Sequence, residues 1–168
     1  MAYDPSEWHD FYVMAGGAAA ALAGLLFVAM SLHADAVMRT HFYRSRAIGM
    51  LMSLTTQLLL SAAVLVPGQP LVLIGVEVEI AALFWAGIAI RAFSSWEPGT
   101  VPVPVSRFRS IAEMVAGITW NLLFLAAGLS LLIRFGGGFY LLALVMVFAF
   151  AWNIYVAWVL ITEVSEAG

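Results

Sequence analysis

The sequence predicts an all-α fold, a polytopic transmembrane helix bundle of about five spans, and three observations carry that expectation. Hydrophobic residues make up 64% of the 168 positions, against roughly 45–50% in a soluble domain. A soluble fold of this size has too much surface for its volume to hide that share. Five stretches are mostly apolar over the ~20 residues a helix needs to cross hydrocarbon. The seven basic residues, all arginine, fall almost entirely in alternate connections between those stretches.

The expected spans are residues 11–32, 47–66, 71–90, 111–133 and 139–161, forming one integral-membrane domain from 1 to 168. The first segment, Met1 to Trp8, is acidic and lacks a basic n-region, so it does not read as a cleavable signal peptide. Asp35 and Arg39 stand one helical turn apart, which predicts that the first helix runs on past the membrane. Pro67-Gly68-Gln69-Pro70 forces a tight turn, because neither proline can donate to a helix, so the second and third spans pair as a hairpin. Pro98, Gly99, Pro102 and Pro104 make the next connection extended. Gly136-Gly137-Gly138 ends the fourth span and joins it tightly to the fifth.

Arg39, Arg44 and Arg46 lie in the first connection, Arg91, Arg107 and Arg109 flank the third, and Arg134 alone falls in the opposite set. Positive charge marks the cytoplasmic side. The expected orientation is an outside N-terminus and a cytoplasmic C-terminus, in a bacterial inner membrane. Trp8, Tyr12, Tyr140 and Trp158 sit where interfacial belt aromatics would.

Three sets of residues inside the spans bear on function. In span one, Gly17, Ala20, Ala21 and Gly24 share a face, and Gly16, Ala20 and Gly24 form a small-xxx-small ladder. Small residues let helix backbones approach closely in lipid, either within one chain or across a homo-oligomer seam. In span two, Arg46, Gly49, Ser53, Gln57 and Ser61 line one side, with Gln57 near the midplane. That stripe serves interhelical hydrogen bonding or a water or ion path.

In span three, Glu77 and Glu79 are ionisable groups among apolar ones, which points either to a functional site or to a place near the outer boundary, since the span begins only about seven residues earlier. They are about 200° apart around the helix and cannot share a face. Glu79 aligns with Gly75, Ala82, Ala86 and Ala89, whereas Glu77 turns towards the side of Phe84 and Ile88. Span four places Glu113, Gly117, Trp120, Asn121 and Gly128 on one side, and span five adds Asn153. Glu113 is expected to pair with Arg46, Arg107 or Arg109 at the cytoplasmic end. Thr55, Thr56, Gln57, Glu77, Asn121 and Asn153 come from four helices at comparable depth, a layer able to bind an ion, relay protons or fix the helices by hydrogen bonds.

Other chemistry is missing from the sequence. With no cysteine, disulfides, iron–sulfur clusters and thiolate metal sites are excluded. No basic cluster is long enough to hold nucleic acid. His33 and His41 lie too far apart on one helix to hold one haem iron in a monomer, and His9 is at the other end. No nucleophile elbow, zinc-protease motif, phosphate loop, voltage-sensor array or potassium filter occurs. No catalytic residue, metal site or cofactor is therefore expected, and an enzyme is the least favoured class.

Trp8-His9-Asp10-Phe11, the run Gly17 to Leu32, Arg46-Ala47, Val66-Pro67-Gly68-Gln69 and Gly75-Val76-Glu77 together resemble a family of small bacterial multi-pass membrane proteins. The resemblance covers about the first half of the chain and has His33 where that pattern carries a polar, Asn-like residue. It implies that Gln69 and Glu77 belong to one motif, and it implies no catalytic residue. The sequence thus leads to two readings. One is a homo-oligomeric channel or small transporter, with Glu77 and Glu79 as binding or gating carboxylates and Gln57, Asn121 and Asn153 as neutral ligands. The other is a non-transporting accessory subunit of a membrane-protease or respiratory assembly, with helix faces as its binding surface.

Overall fold

The computed structural model describes residues 2–32, 34, 41–94 and 107–166, with side chains described over 2–32, 34, 43–91 and 115–160. The secondary structure is entirely helical among the described residues. A 3-10 turn, Pro5–Trp8, is followed by α1 (His9–Leu32), α2 (His41–Val64), α3 (Leu71–Ser94), α4 (Arg107–Ile133) and α5 (Phe139–Glu166). Five helical stretches are long and apolar enough to cross a membrane: Pro5–Leu32, Tyr43–Val64, Leu71–Arg91, Val115–Ile133 and Phe139–Leu160. Their outward side chains are apolar too, with Leu25, Phe27, Ile80, Leu122 and Phe148 all more than half exposed. In water such faces would drive aggregation; against acyl chains they cost nothing. The chain is a multi-pass membrane protein.

The expected boundaries shift where helices run past the apolar window. The second helix begins at His41 rather than 47 and ends at Val64, because Pro67 and Pro70 cannot continue the backbone ladder. Its central residues are therefore Ser53 and Leu54, and Gln57 sits about one turn towards the Val64 end. The fifth helix runs to Glu166, beyond the expected 161. The Asp35–Arg39 turn lies outside the described residues.

The chain divides into two compact units. The first comprises Met1–Glu7 and Pro67–Val145, which hold α3, α4 and the start of α5. Here α3 and α4 pack antiparallel. A Cβ added at Gly75 would meet the Leu132 side chain at 2.9 Å, and one at Gly128 would meet Glu79 at the same distance. Further along, Trp85 and Trp120 pack edge to face at 5.8 Å, an arrangement that aromatic quadrupoles favour. The register follows: positions 75, 79 and 85 of α3 stand level with 132, 128 and 120 of α4.

The α4–α5 connection is held by an N-terminal clamp. Arg134 takes a left-handed conformation (φ 55°) just past the helix end, and the Phe135 amide donates back to the Ser130 carbonyl at 3.2 Å, a Schellman closure. Ser130 Oγ accepts from the Gly138 amide at 2.8 Å and donates to the Phe135 carbonyl. The Tyr3 hydroxyl accepts from the Gly137 amide at 2.9 Å, and the Phe139 amide donates to the Ala2 carbonyl at 3.0 Å. These bonds occupy backbone donors that the first turn of α5 cannot pair internally. Gly136, Gly137 and Gly138 all have positive φ, so the triple glycine is a conformational requirement as well as a break. At the start of the chain, Asp4 Oδ1 accepts from the Ser6 hydroxyl and amide. These bonds, the hydroxyl's first, hold its carboxyl below the usual carboxylate range.

The second unit comprises Trp8–Val66 and Met146–Gly168, holding α1, α2 and most of α5. Tyr43, Ala47, Met50, Leu54, Gln57, Ser61 and Val64 are buried along α2. Their alternating spacings of four and three residues are those of a left-handed antiparallel helix pair. The opposing face of α1 is Tyr12, Ala15, Gly16 and Ala19. Tyr43, Ala47 and Met50 meet Val156 and Leu160 of α5, with Leu26 and Met30 packed against them. Tyr12, expected in the interfacial belt, has no exposed surface, because it belongs to this packed seam. Tyr140 and Trp158 are exposed as expected.

A Cβ at position 138 would collide with the Ala2 carbonyl oxygen, so Gly138→Ala breaks the clamp as well as straining φ. The expected loss is about 2 kcal/mol or more, read as a lowered thermal midpoint of the full chain in detergent, while Gly87→Ala, in open space on α3, does not lower the midpoint.

Candidate functional site

The two carboxylates of α3 take different surroundings, as the 200° separation requires. Glu77 is the seventh residue of the helix, about 9 Å from its start. Its Oε2 accepts a 2.8 Å hydrogen bond from Gln69 Nε2, eight residues earlier. The turn makes this bond possible: Gly68 adopts φ 73°, and Pro70 starts α3, its carbonyl accepting from the Leu73 and Ile74 amides. The side chain of Gln69 is thereby folded back along the first turns of the helix. Gln69 and Glu77 are thus direct partners.

Glu79 lies deeper. It is the ninth residue of α3, about 12 Å along, and two residues from the middle of the Leu71–Arg91 span. Its side chain lies across Gly128 of α4, where an added Cβ would come within 2.9 Å of Cγ and Cδ and 3.0 Å of Oε1. The face expected with Glu79 holds only in part: Gly75 meets Leu132 and Ala82 has no exposed surface, whereas Ala86 is half-buried and Ala89 exposed. The missing side chain at Gly128 makes the seat for the carboxylate. Glu79 is partly exposed and has no ion-pair partner among the described residues.

Asn121 turns its amide onto its own helix, Nδ2 donating to the Gly117 carbonyl at 3.0 Å. Its buried Oδ1 has no hydrogen-bond partner. Gly117 is exposed with nothing near it, so the face expected to join it to Gly128 is split: Trp120 and Gly128 turn inward and Gly117 outward. Trp120 Nε1 donates to the Val145 carbonyl at 3.3 Å. The side chains of Glu113, Arg107 and Arg109, expected to form ion pairs with Arg46, lie outside the described residues, as do those of His33 and His41. His9 is exposed and its Nδ1 lies 3.1 Å from Asp10 Oδ1.

In the second unit, Asn153 Nδ2 donates to Ser53 Oγ at 2.9 Å, joining α5 to α2. Gln57 is 4% exposed, and neither of its amide atoms has a hydrogen-bond partner. Ser61 is 1% exposed and its Oγ is likewise unpartnered. Glu77, Glu79 and Asn121 belong to one unit, Gln57 and Asn153 to the other. Thr55 and Thr56 each donate a hydroxyl to the carbonyl four residues back, the usual satisfaction of a hydroxyl on a helix.

The small-residue stripe of α1 also divides. Gly16 is buried against Ser61, where an added Cβ would come to 3.1 Å. Gly17, Ala20, Ala21 and Gly24 are exposed, and Gly17 and Gly24 have nothing within 4 Å. Among the described residues no group of three His, Cys, Asp or Glu side chains could hold a metal ion.

Sequence reading missed the seat of Glu79 and the Ser130 clamp. Gly75 and Gly128 were visible as small residues, but only the antiparallel register sets Gly128 opposite Glu79. Gly128→Ala drives a Cβ into the Glu79 side chain, with an expected loss of about 1–3 kcal/mol. The double change with Glu79→Ala recovers most of it, and a coupling of about 1 kcal/mol or more in chemical unfolding of the detergent-solubilised chain checks the contact.

No known protein family, curated protein or solved structure matches the chain.

Proposed function

We propose that the protein is a homo-oligomeric channel or small transporter that moves protons or a small cation through the membrane, with Glu79 as the central carboxylate. One observation supports this most strongly: an acidic side chain near the middle of a spanning helix, seated over a glycine and without a basic partner among the described residues. An ionised carboxylate surrounded by hydrocarbon is costly, so Glu79 carries a proton or meets a cation. Either species is then held reversibly part-way across the membrane, which is what a conduction pathway requires.

Glu77 serves nearer the start of α3 as the receiving carboxylate, held in position by Gln69. Asn121, whose Oδ1 is unpaired, offers a neutral acceptor further along the same unit. With the arginine bias setting the orientation, Glu77 and Gln69 face the outside and the C-terminus is cytoplasmic, in a bacterial inner membrane. The family-like pattern that groups Gln69 with Glu77 is part of this reading.

The test is flux into proteoliposomes under an imposed proton or potassium gradient. Glu79→Gln keeps the volume and one acceptor oxygen but removes the exchangeable charge, and it is expected to cut the flux at least ten-fold. Glu77→Gln is expected to cut it by a smaller factor. Flux equal to that of the parent in the Glu79→Gln protein would rule the reading out.

The open α1 face favours one further element, contact between spans of different chains. It also supports the second reading, in which the protein is a non-transporting accessory subunit. Gly24→Leu is expected to convert the oligomer to monomer on native electrophoresis in mild detergent. Recovery of the parent from native membranes with stoichiometric foreign partners, and without flux on reconstitution, would favour the accessory reading.

A further inference from the structure

The second unit carries an observation that the carboxylate pathway does not use. Gln57 and Ser61 are one helical turn apart on the buried face of α2, with 4% and 1% of their surfaces exposed. Gln57 Nε2, Gln57 Oε1 and Ser61 Oγ all lack a hydrogen-bond partner. Neighbouring hydroxyls show that this is no general looseness. Thr55 and Thr56 donate to their own helix, and Ser53, one turn below Gln57, accepts from Asn153. The stripe is thus satisfied up to Ser53 and unsatisfied above it.

The surroundings are small. Gly16 of α1 lies directly against Ser61. Ala19, one turn along the buried face of α1, lies near the level of Gln57 in the antiparallel register. Gly16 and Ala19 have no side-chain atom able to donate or accept. Buried polar groups in proteins are almost always paired, and in hydrocarbon no bulk water substitutes for a missing partner.

We infer that Gln57 and Ser61 form an internal binding site for a small uncharged molecule that both donates and accepts hydrogen bonds, either water or an amide-sized solute. The two N–H groups of Gln57 donate to the guest, Oε1 accepts from it, and the Ser61 hydroxyl takes either role. Neither Gln57 nor Ser61 carries a charge to match an ion, so the guest proposed for them is neutral. Because both residues are buried within the chain, neither a lipid headgroup nor a second copy of the protein can reach them. Binding at Gln57 and Ser61 is expected whether or not Glu79 conducts.

The chain contains two glutamines, Gln57 and Gln69, so side-chain 15N labelling of glutamine gives two amide signals. Gln69→Ala leaves one, which assigns Gln57 even where Gln57→Leu fails to fold. In the full chain in lipid nanodiscs, magnetisation transfer from water to the Gln57 amide is expected, weakened at least two-fold by Ser61→Ala. Formamide is the probe for the larger guest: a saturable shift of the Gln57 signal identifies an amide-sized solute, and transfer from water without any formamide response identifies water. A Gln57 amide that responds to neither water nor formamide overturns the proposal.

Discussion

A hydrogen-bonding group surrounded by hydrocarbon has no water to turn to, and this constraint orders the molecule at every level. It makes the backbone helical, since a helix pairs its own amides and carbonyls. The same demand turns Thr55, Thr56 and Asn121 back onto carbonyls of their own helices. At the α4–α5 connection it recruits Ser130, Tyr3 and Ala2 to complete what the helix ends leave open. Against that background stand groups such as Gln57, Ser61 and the oxygen of Asn121, which have no hydrogen-bond partner among the described residues, together with a carboxylate, Glu79, that has no basic partner among those residues.

Glycine has three distinct roles in this chain. At Gly68 and Gly136–Gly138 it permits positive φ, which turns the chain within a few residues. Gly16, Gly75 and Gly128 let one helix lie close upon another, and at Gly128 the space is filled by Glu79. At Gly17 and Gly24 an added Cβ would meet nothing within 4 Å among the described residues. This last pair leaves a surface on which another helix can pack as closely as α1 packs on α2. The hydrophobic effect gives little help to helix association in lipid, so these close approaches and the few interhelical polar bonds, such as Asn153 to Ser53, must supply the specificity.

The depth of each polar residue separates positions that look equivalent in the sequence. Glu77 and Glu79 differ by two residues, yet one is held by a turn glutamine and the other lies over a glycine near the middle of its span. Gln57 and Ser53 share a stripe, yet Ser53 has a partner from α5 and Gln57 has none. Tyr12 resembles a belt aromatic by position but is fully buried, because its helix face meets α2 rather than the lipid boundary.

The sequence by itself determined that the chain is all-helical, that it has five spans and where most of their ends fall. Local chemistry controls these properties: the apolar length of each segment, the donor lost at each proline and the conformational freedom of each glycine. It also determined that Glu77 and Glu79 face apart, since helical rotation depends only on residue spacing. The tertiary structure alone decided which neighbour each face meets. Gly128 beneath Glu79, Ser130 beneath Gly138, Tyr12 in the seam and the unpartnered amide of Gln57 all follow from the register of antiparallel helices. That register is set by the fit of side chains distant in the chain, and no local pattern encodes it.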